Sequence, residues 1–123
     1  MMNKAEKKQC VLVVDDHPKV LRFIEIDLKL HGFEVVTTTS GEEALELVKS
    51  AGPDIMLLDI IMPGIDGFEV LKKVRAFTPL PVIAFSASPG NYAEAMRLGA
   101  SDFMPKPFQL DEMVKRIKAL LSH

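Results

Sequence analysis

Four short apolar runs punctuate the chain: Val11 to Val14, Val35 to Val36, Ile55 to Leu58, and Val82 to Phe85. Three of them are apolar at every position and partly β-branched, the pattern of strands covered on both faces. The second run sits in Glu34-Val35-Val36-Thr37-Thr38, and its polar residues suit a strand nearer a sheet edge. Asp102 to Met104 is a fifth, weaker candidate.

Helical patterns fill the gaps. After Pro18, a natural first-turn residue, Val20, Leu21, Ile24 and Leu28 share one face until Gly32. Ser40 and Glu43 have capping-box spacing before Ala44, Leu45 and Val48, and Gly52-Pro53 closes that segment. Asp66 and Glu69 repeat the spacing before Phe68, Leu71 and Val74. A short helix is expected around Asn91 to Leu98, ended by Gly99. Leu110, Met113, Val114, Ile117, Leu120 and Leu121 mark a last, strongly periodic helix. Strand and helix thus alternate five times, which predicts βαβ units with right-handed crossovers and a parallel sheet covered on both faces.

Composition narrows the class. With 123 residues the chain reads as one domain over 1–123, residues 1–8 being a flexible lead. It is 48% hydrophobic and 26% charged, an ordinary globular balance and not that of a disordered tail. A net charge of −2 offers no electrostatic footprint for nucleic acid. The single Cys10 excludes an internal disulfide and reads as a small core residue at the mouth of the first strand. The apolar runs are too short to cross a membrane, and the first stops too early, at Asp15-Asp16, for a signal peptide. A cytoplasmic protein without membrane insertion is expected.

In an open α/β sheet, ligands bind beyond the carboxyl ends of the strands. The first strand delivers Asp15 and Asp16 there, the third Asp59, and the fourth Ser86; the fifth leads to Lys106. Clustered carboxylates repel one another and call for a counter-charge. An all-oxygen set suits Mg²⁺, or the similarly hard Mn²⁺. Asp59 could then attack a phosphoryl group and form an acyl phosphate, with Lys106 and the Ser86 hydroxyl facing the transferring oxygens.

At these positions the chain resembles the receiver domain of two-component response regulators. The segments that carry the likeness are Val13-Val14-Asp15-Asp16, Leu57 to Gly67 with Asp59 and Met62-Pro63-Gly64, Phe85-Ser86-Ala87, and Gly99 to Phe108 with Lys106-Pro107-Phe108. The resemblance spans about Cys10 to Leu121. It implies a flavodoxin-like (βα)5 fold with strand order 2-1-3-4-5. It makes Asp59 the phosphoacceptor, and Asp15, Asp16, Asp59 and the Ile61 backbone carbonyl the metal ligands. Ser86 becomes the hydroxyl switch that contacts the phosphoryl group, and Lys106 its partner. Phe103 takes the aromatic switch position, turning inward when the hydroxyl is pulled toward the phosphate. Pro63, Gly67 and Pro107 are structural, with a cis peptide expected before Pro107.

The implied partner is a sensor histidine kinase or a histidine phosphotransfer protein, with the downstream effector unknown. The signal would leave through the fourth-helix, fifth-strand and fifth-helix face. A homodimer formed on phosphorylation is one option among the oligomeric states left open. The span from Ser86 to Gly99 is shorter than the family pattern, the shortfall falling near Pro89-Gly90.

Plainer readings attach to several residues. Asp66 and Gly67 look like a helix cap and a tight turn. His17 belongs to a helix start without metal-ligand company, and His31 suits a helix C-terminus. The scattered Met residues read as core filler.

Two other functions compete. One is a phosphohydrolase with an aspartate nucleophile, for which the second acid two residues on is replaced by Ile61. The other is a phosphate-independent adaptor. The expectation is a phosphoprotein switch that catalyses its own phosphorylation and slow dephosphorylation, not a turnover enzyme. Met1-Met2 reads as a natural start, and a stand-alone receiver and a domain of a longer regulator both stay open.

Overall fold

The five strands and five helices alternate without exception in the computed structural model, which describes residues 7–122. Their order is β1 (Cys10–Val14), α1 (Pro18–Leu30), β2 (Glu34–Thr38), α2 (Gly41–Ser50), β3 (Ile55–Asp59), α3 (Gly67–Arg75), β4 (Val82–Ser86), α4 (Asn91–Arg97), β5 (Asp102–Pro105) and α5 (Leu110–Leu121). All neighbouring strands pair parallel, in the order β2-β1-β3-β4-β5. Of the expected flexible lead, residues 1–6 lie outside the described residues, while Lys7 and Lys8 are exposed and belong to no regular element.

Alternation along each strand divides the core into two layers. Leu12, Val14, Met56, Leu58, Val82 and Ala84 face α2, α3 and α4, meeting Ala44, Val70, Val74 and Ala95. Val11, Val13, Ile55, Leu57, Ile83 and Phe85 face the other way, against Leu21, Ile24 and Leu28 of α1 and Met113, Val114 and Ile117 of α5. Of the three central strands, β3 and β4 are buried throughout and β1 at every residue but Cys10, which is why their sequences show no polar alternation. Edge strand β2 is half-buried, in keeping with its mixed sequence.

The helix signals hold with instructive differences. Pro18 opens α1, and Gly32 follows its C-cap residue His31 at φ 91°. The Ser40 hydroxyl accepts the Glu43 N–H at 3.1 Å, but the box is not reciprocal. The Glu43 carboxylate accepts a hydrogen bond from the Thr38 hydroxyl instead, and the Ser40 N–H donates to Thr38 Oγ1 at 3.0 Å. A hydroxyl at the end of β2 has displaced the usual partner. Asp66 caps α3 by accepting the Glu69 N–H at 2.9 Å.

Gly67 needs a correction. Its φ is not positive; Gly64, at φ 80°, supplies the turn. What forbids a side chain at Gly67 is proximity, because a Cβ there would stand 2.4 Å from Ile60 Cα and 2.6 Å from the Asp59 carbonyl oxygen. The first turn of α3 therefore rests directly on the backbone that carries Asp59.

Arg75 closes the opposite end of that layer. Its guanidinium donates to the carbonyls of Gly99, Thr78 and Leu80 at 2.8–3.0 Å, joining the end of α3 to the approaches of β4 and β5. No helix among the described residues is long and apolar enough to cross a membrane.

Candidate functional site

The carboxyl ends of β1, β3, β4 and β5 meet at one rim. The parallel ladder continues one step beyond the strands and fixes the spacing there. The Asp15 N–H donates to the Thr38 carbonyl at 3.2 Å, the Ile60 N–H to Phe85 at 3.0 Å, and the Lys106 N–H to Ser86 at 2.9 Å. Asp15, Asp59 and Ser86 are buried, rare for such residues unless they are paired or functional.

Lys106 bridges the two buried acids. Its ammonium lies 3.3 Å from Asp15 Oδ2 and 3.4 Å from Asp59 Oδ2, with Nζ 5.1 Å from the centroid of the Phe85 ring. Phe85 is itself held edge-on by Phe108 at 5.5 Å, so the lysine rests on a fixed aromatic floor. The Lys106–Pro107 peptide bond is cis.

One cation does not balance these acids. Burial, followed by the neighbouring Asp15 charge, pushes the Asp59 carboxyl up to about 6, against the opposing pull of Lys106 and the Ile61 N–H. That N–H donates to Asp59 Oδ1 at 3.2 Å, while the Ile61 side chain is exposed. Asp16 adds a third carboxylate whose Oδ1 is buried without a hydrogen-bond partner among the described residues. A buried carboxylate oxygen that receives no hydrogen bond, beside a destabilised carboxylate, is a place for a cation. The oxygen-rich donors fit a small divalent ion.

His17 belongs to this cluster, contrary to the expectation that it lacks metal-ligand company. Its Nδ1 lies 3.0 Å from Asp15 Oδ1 and 3.2 Å from Asp16 Oδ1. The cause is local geometry: the His17 N–H donates to Asp15 Oδ1 at 2.8 Å, and this two-residue turn folds the ring back over the acids. His31 behaves as expected, its ring facing the Asp27 carbonyl at 2.9 Å at the end of α1.

The Ser86 hydroxyl oxygen accepts from the Ser88 N–H at 3.0 Å and from the Asn91 side-chain amide at 2.9 Å. The Ser86 hydroxyl is thereby tied to the first residue of α4, a contact the sequence did not disclose. The helix is seven residues long, in keeping with the shortened span before Gly99. Phe103, paired in register with Ala84, already points inward and is 7% exposed. Exposed Tyr92 of α4 covers it edge-on at 5.7 Å. Beside the rim, Val20, Phe23, Ala87, Lys106, Pro107 and Phe108 line an open groove of about 440 Å³.

Residues 11–118 match the response regulator receiver domain, so the chain belongs to the receiver domains of two-component response regulators. It is 40% identical over 119 residues to a probable transcriptional regulator, ycf27, of Guillardia theta, and 37% identical over 111 residues to the transcriptional regulatory protein KdpE of Mycobacterium tuberculosis. The matches cover 94% and 89% of this chain but only 46% and 49% of those proteins, so the chain spans about half their length. Among solved structures it resembles the receiver domain of Francisella response regulator 1452, at 34% identity and a TM-score of 0.88, covering 94% of this chain and 98% of that one. It also resembles the Thermotoga maritima response regulator TrrA solved with Mg²⁺ and BeF, at 33% identity and a TM-score of 0.85, covering 92% of this chain and 99% of that one.

Proposed function

We propose that this receiver is a phosphorylatable switch in which Asp59 accepts a phosphoryl group from a phosphohistidine on a kinase or phosphotransfer protein. The observation that carries the reading is the Asp15–Lys106–Asp59 arrangement, two buried acids sharing one ammonium at 3.3 and 3.4 Å. Asp15, Asp16, Asp59 and the Ile61 carbonyl would hold a Mg²⁺ or Mn²⁺ ion. When bound, that ion supplies positive charge to the acids and to the incoming phosphoryl oxygens.

The chain's own groups account for the rest. An Asp59 oxygen attacks phosphorus; the new O–P bond forms as the P–N bond to the donor imidazole breaks, and the leaving nitrogen keeps the electron pair and takes up a proton. Lys106, released from its bond to Asp59 Oδ2, pairs with a phosphoryl oxygen. The Ser86 hydroxyl turns from Asn91 toward the phosphoryl group. Loosening that tie alters how α4 sits on β5, where Tyr92 and Phe103 pack together. The groove bordered by Phe23 and Phe108 opens onto Lys106 and suits a donor protein that must bring its histidine to the rim. With Ile61 where an aspartate-nucleophile hydrolase needs its second acid, the phosphoryl aspartate is expected to persist and be lost slowly, in line with a switch and not a turnover enzyme.

Intact-mass measurement after incubation with acetyl phosphate tests this. A gain of about 80 Da that needs Mg²⁺ and disappears in Asp59→Asn is expected. An Mg²⁺-binding chain that never gains mass, and forms no stable complex with beryllium fluoride, would leave the adaptor reading. Sustained phosphate release at many turnovers would favour the hydrolase.

A further inference from the structure

We propose that His17 is a ligand of the cation site, which makes it a mixed imidazole–carboxylate site that prefers a first-row transition cation to Mg²⁺. The inference rests on reading the acidic rim as a cation site and goes on to specify which cation it takes.

Three observations converge on His17. Its Nδ1 lies 3.0 Å from Asp15 Oδ1 and 3.2 Å from Asp16 Oδ1. One ligand atom from each of Asp15, Asp16, His17 and Asp59 falls within a set no wider than 4.8 Å. In an octahedral shell with bonds of about 2.1 Å, adjacent ligands stand about 3.0 Å apart, so the imidazole and the two carboxylate oxygens already have the spacing of neighbouring ligands. Asp16 Oδ1, one of those two oxygens, is a buried atom with no hydrogen-bond partner among the described residues.

The division of oxygens at the rim points the same way. Lys106 takes Oδ2 of Asp15 and Oδ2 of Asp59. His17 stands on the Oδ1 side of Asp15, away from the lysine contact, where both its backbone N–H and its ring meet that oxygen. The phosphoryl-transfer steps give His17 no part. Its side chain is 63% exposed, so its position over the acids is set by the turn at Asp15 and not by burial in the core.

Ligand chemistry then sets the preference. Mg²⁺ is a hard ion that keeps oxygen ligands and waters. An imidazole nitrogen favours the later first-row cations, whose affinities rise along the Irving–Williams order. A site with only carboxylates and a carbonyl would lack that added preference.

Co²⁺ is the probe, because it accepts both ligand types and its visible spectrum reports nitrogen coordination. The metal-free chain is titrated by calorimetry with Co²⁺ alone and with Mg²⁺ alone, without phosphodonor, alongside His17→Ala, His17→Gln and, as a distant control, His31→Ala. The wild type is expected to bind Co²⁺ at least about tenfold more tightly than Mg²⁺; both His17 variants lose about tenfold for Co²⁺ and change less than about twofold for Mg²⁺. The Co²⁺ spectrum should shift in the His17 variants and not in His31→Ala.

Equal losses for both cations, no loss, or tighter Mg²⁺ binding in His17→Ala would each overturn the assignment. The last outcome would make His17 a competitor for the ion's place. An Mg²⁺-dependent mass gain on Asp59 without cation preference removes this inference and spares the phosphoacceptor reading. If neither cation binds, the inference falls with the metal-dependent part of that reading, and the mass measurement decides whether Asp59 accepts phosphate at all.

Discussion

The Asn91 amide donates to the Ser86 hydroxyl oxygen at 2.9 Å, joining the first residue of α4 to the last residue of β4. Asn91→Ala removes one of the two donors that hold this oxygen, leaving the Ser88 N–H. The loss is expected to cost about 1 kcal/mol of stability. It should also free the hydroxyl for the phosphoryl group, so that the phosphorylated form decays more slowly than in the wild type. Parallel decay measurements by mass spectrometry, with urea unfolding of the same samples, check both parts.

Gly67→Ala should destabilise the chain severely for a surface-sized change. A Cβ placed 2.4 Å from Ile60 Cα and 2.6 Å from the Asp59 carbonyl oxygen meets backbone, which cannot turn aside as a side chain can. Moving α3 away from β3 is expected to cost about 2–4 kcal/mol, read from urea melts. Gly64→Ala gives the comparison. Its Cβ meets nothing within 4 Å, and only the positive φ of 80° resists it, so a smaller loss of about 1 kcal/mol is expected there.

Stability should fall with rising pH through the titration of Asp59. Its carboxyl titrates at about 6 in the folded chain, against 3.8 for an unperturbed aspartate. Between these values the folded chain holds a proton that the unfolded chain has released. The favourable contribution is therefore complete below the lower value and is lost as pH rises through the upper one. Asp59→Asn, without this charge, should exceed the wild type by on the order of 2 kcal/mol near neutral pH in chelator, the gap closing toward about pH 4. Urea melts across this range decide it, and added Mg²⁺ should narrow the gap at neutral pH.

Lys106→Met keeps much of the stem over Phe85 and removes the ammonium shared by Asp15 and Asp59. Because Lys106 lowers the Asp59 carboxyl, that group should titrate above about 6 in the variant, a shift visible by carboxyl NMR. Phosphorylation by acetyl phosphate should slow by about 10²–10³-fold, the effect of losing one preorganised group beside the transferring oxygens. A variant that gains mass at the wild-type rate would remove Lys106 from the chemistry.

Sequence alone was enough for whatever depends on local pattern. Continuous apolar runs marked β1, β3 and β4, since a strand covered on both faces has no polar side to show. Helical periodicity and the acids at Asp66 and near Ser40 marked the helix starts. Asp15, Asp59 and Ser86 were legible as rim residues because a parallel sheet brings all its carboxyl ends to one side. Tertiary structure decided what depends on distance between remote residues or on the direction of one side chain. The Asn91–Ser86 tie and the inward, Tyr92-covered Phe103 require α4 to lie at a particular height on β5. No local pattern marks Arg75, around which only the tertiary structure gathers the carbonyls of Gly99, Thr78 and Leu80. Gly67 resembles a turn glycine until α3 is laid on the Asp59 backbone, and His17 resembles a helix start until its ring folds over the acids. Periodicity records which face of an element is buried, and it carries no information on how closely two elements approach or where a side chain turns once they have packed.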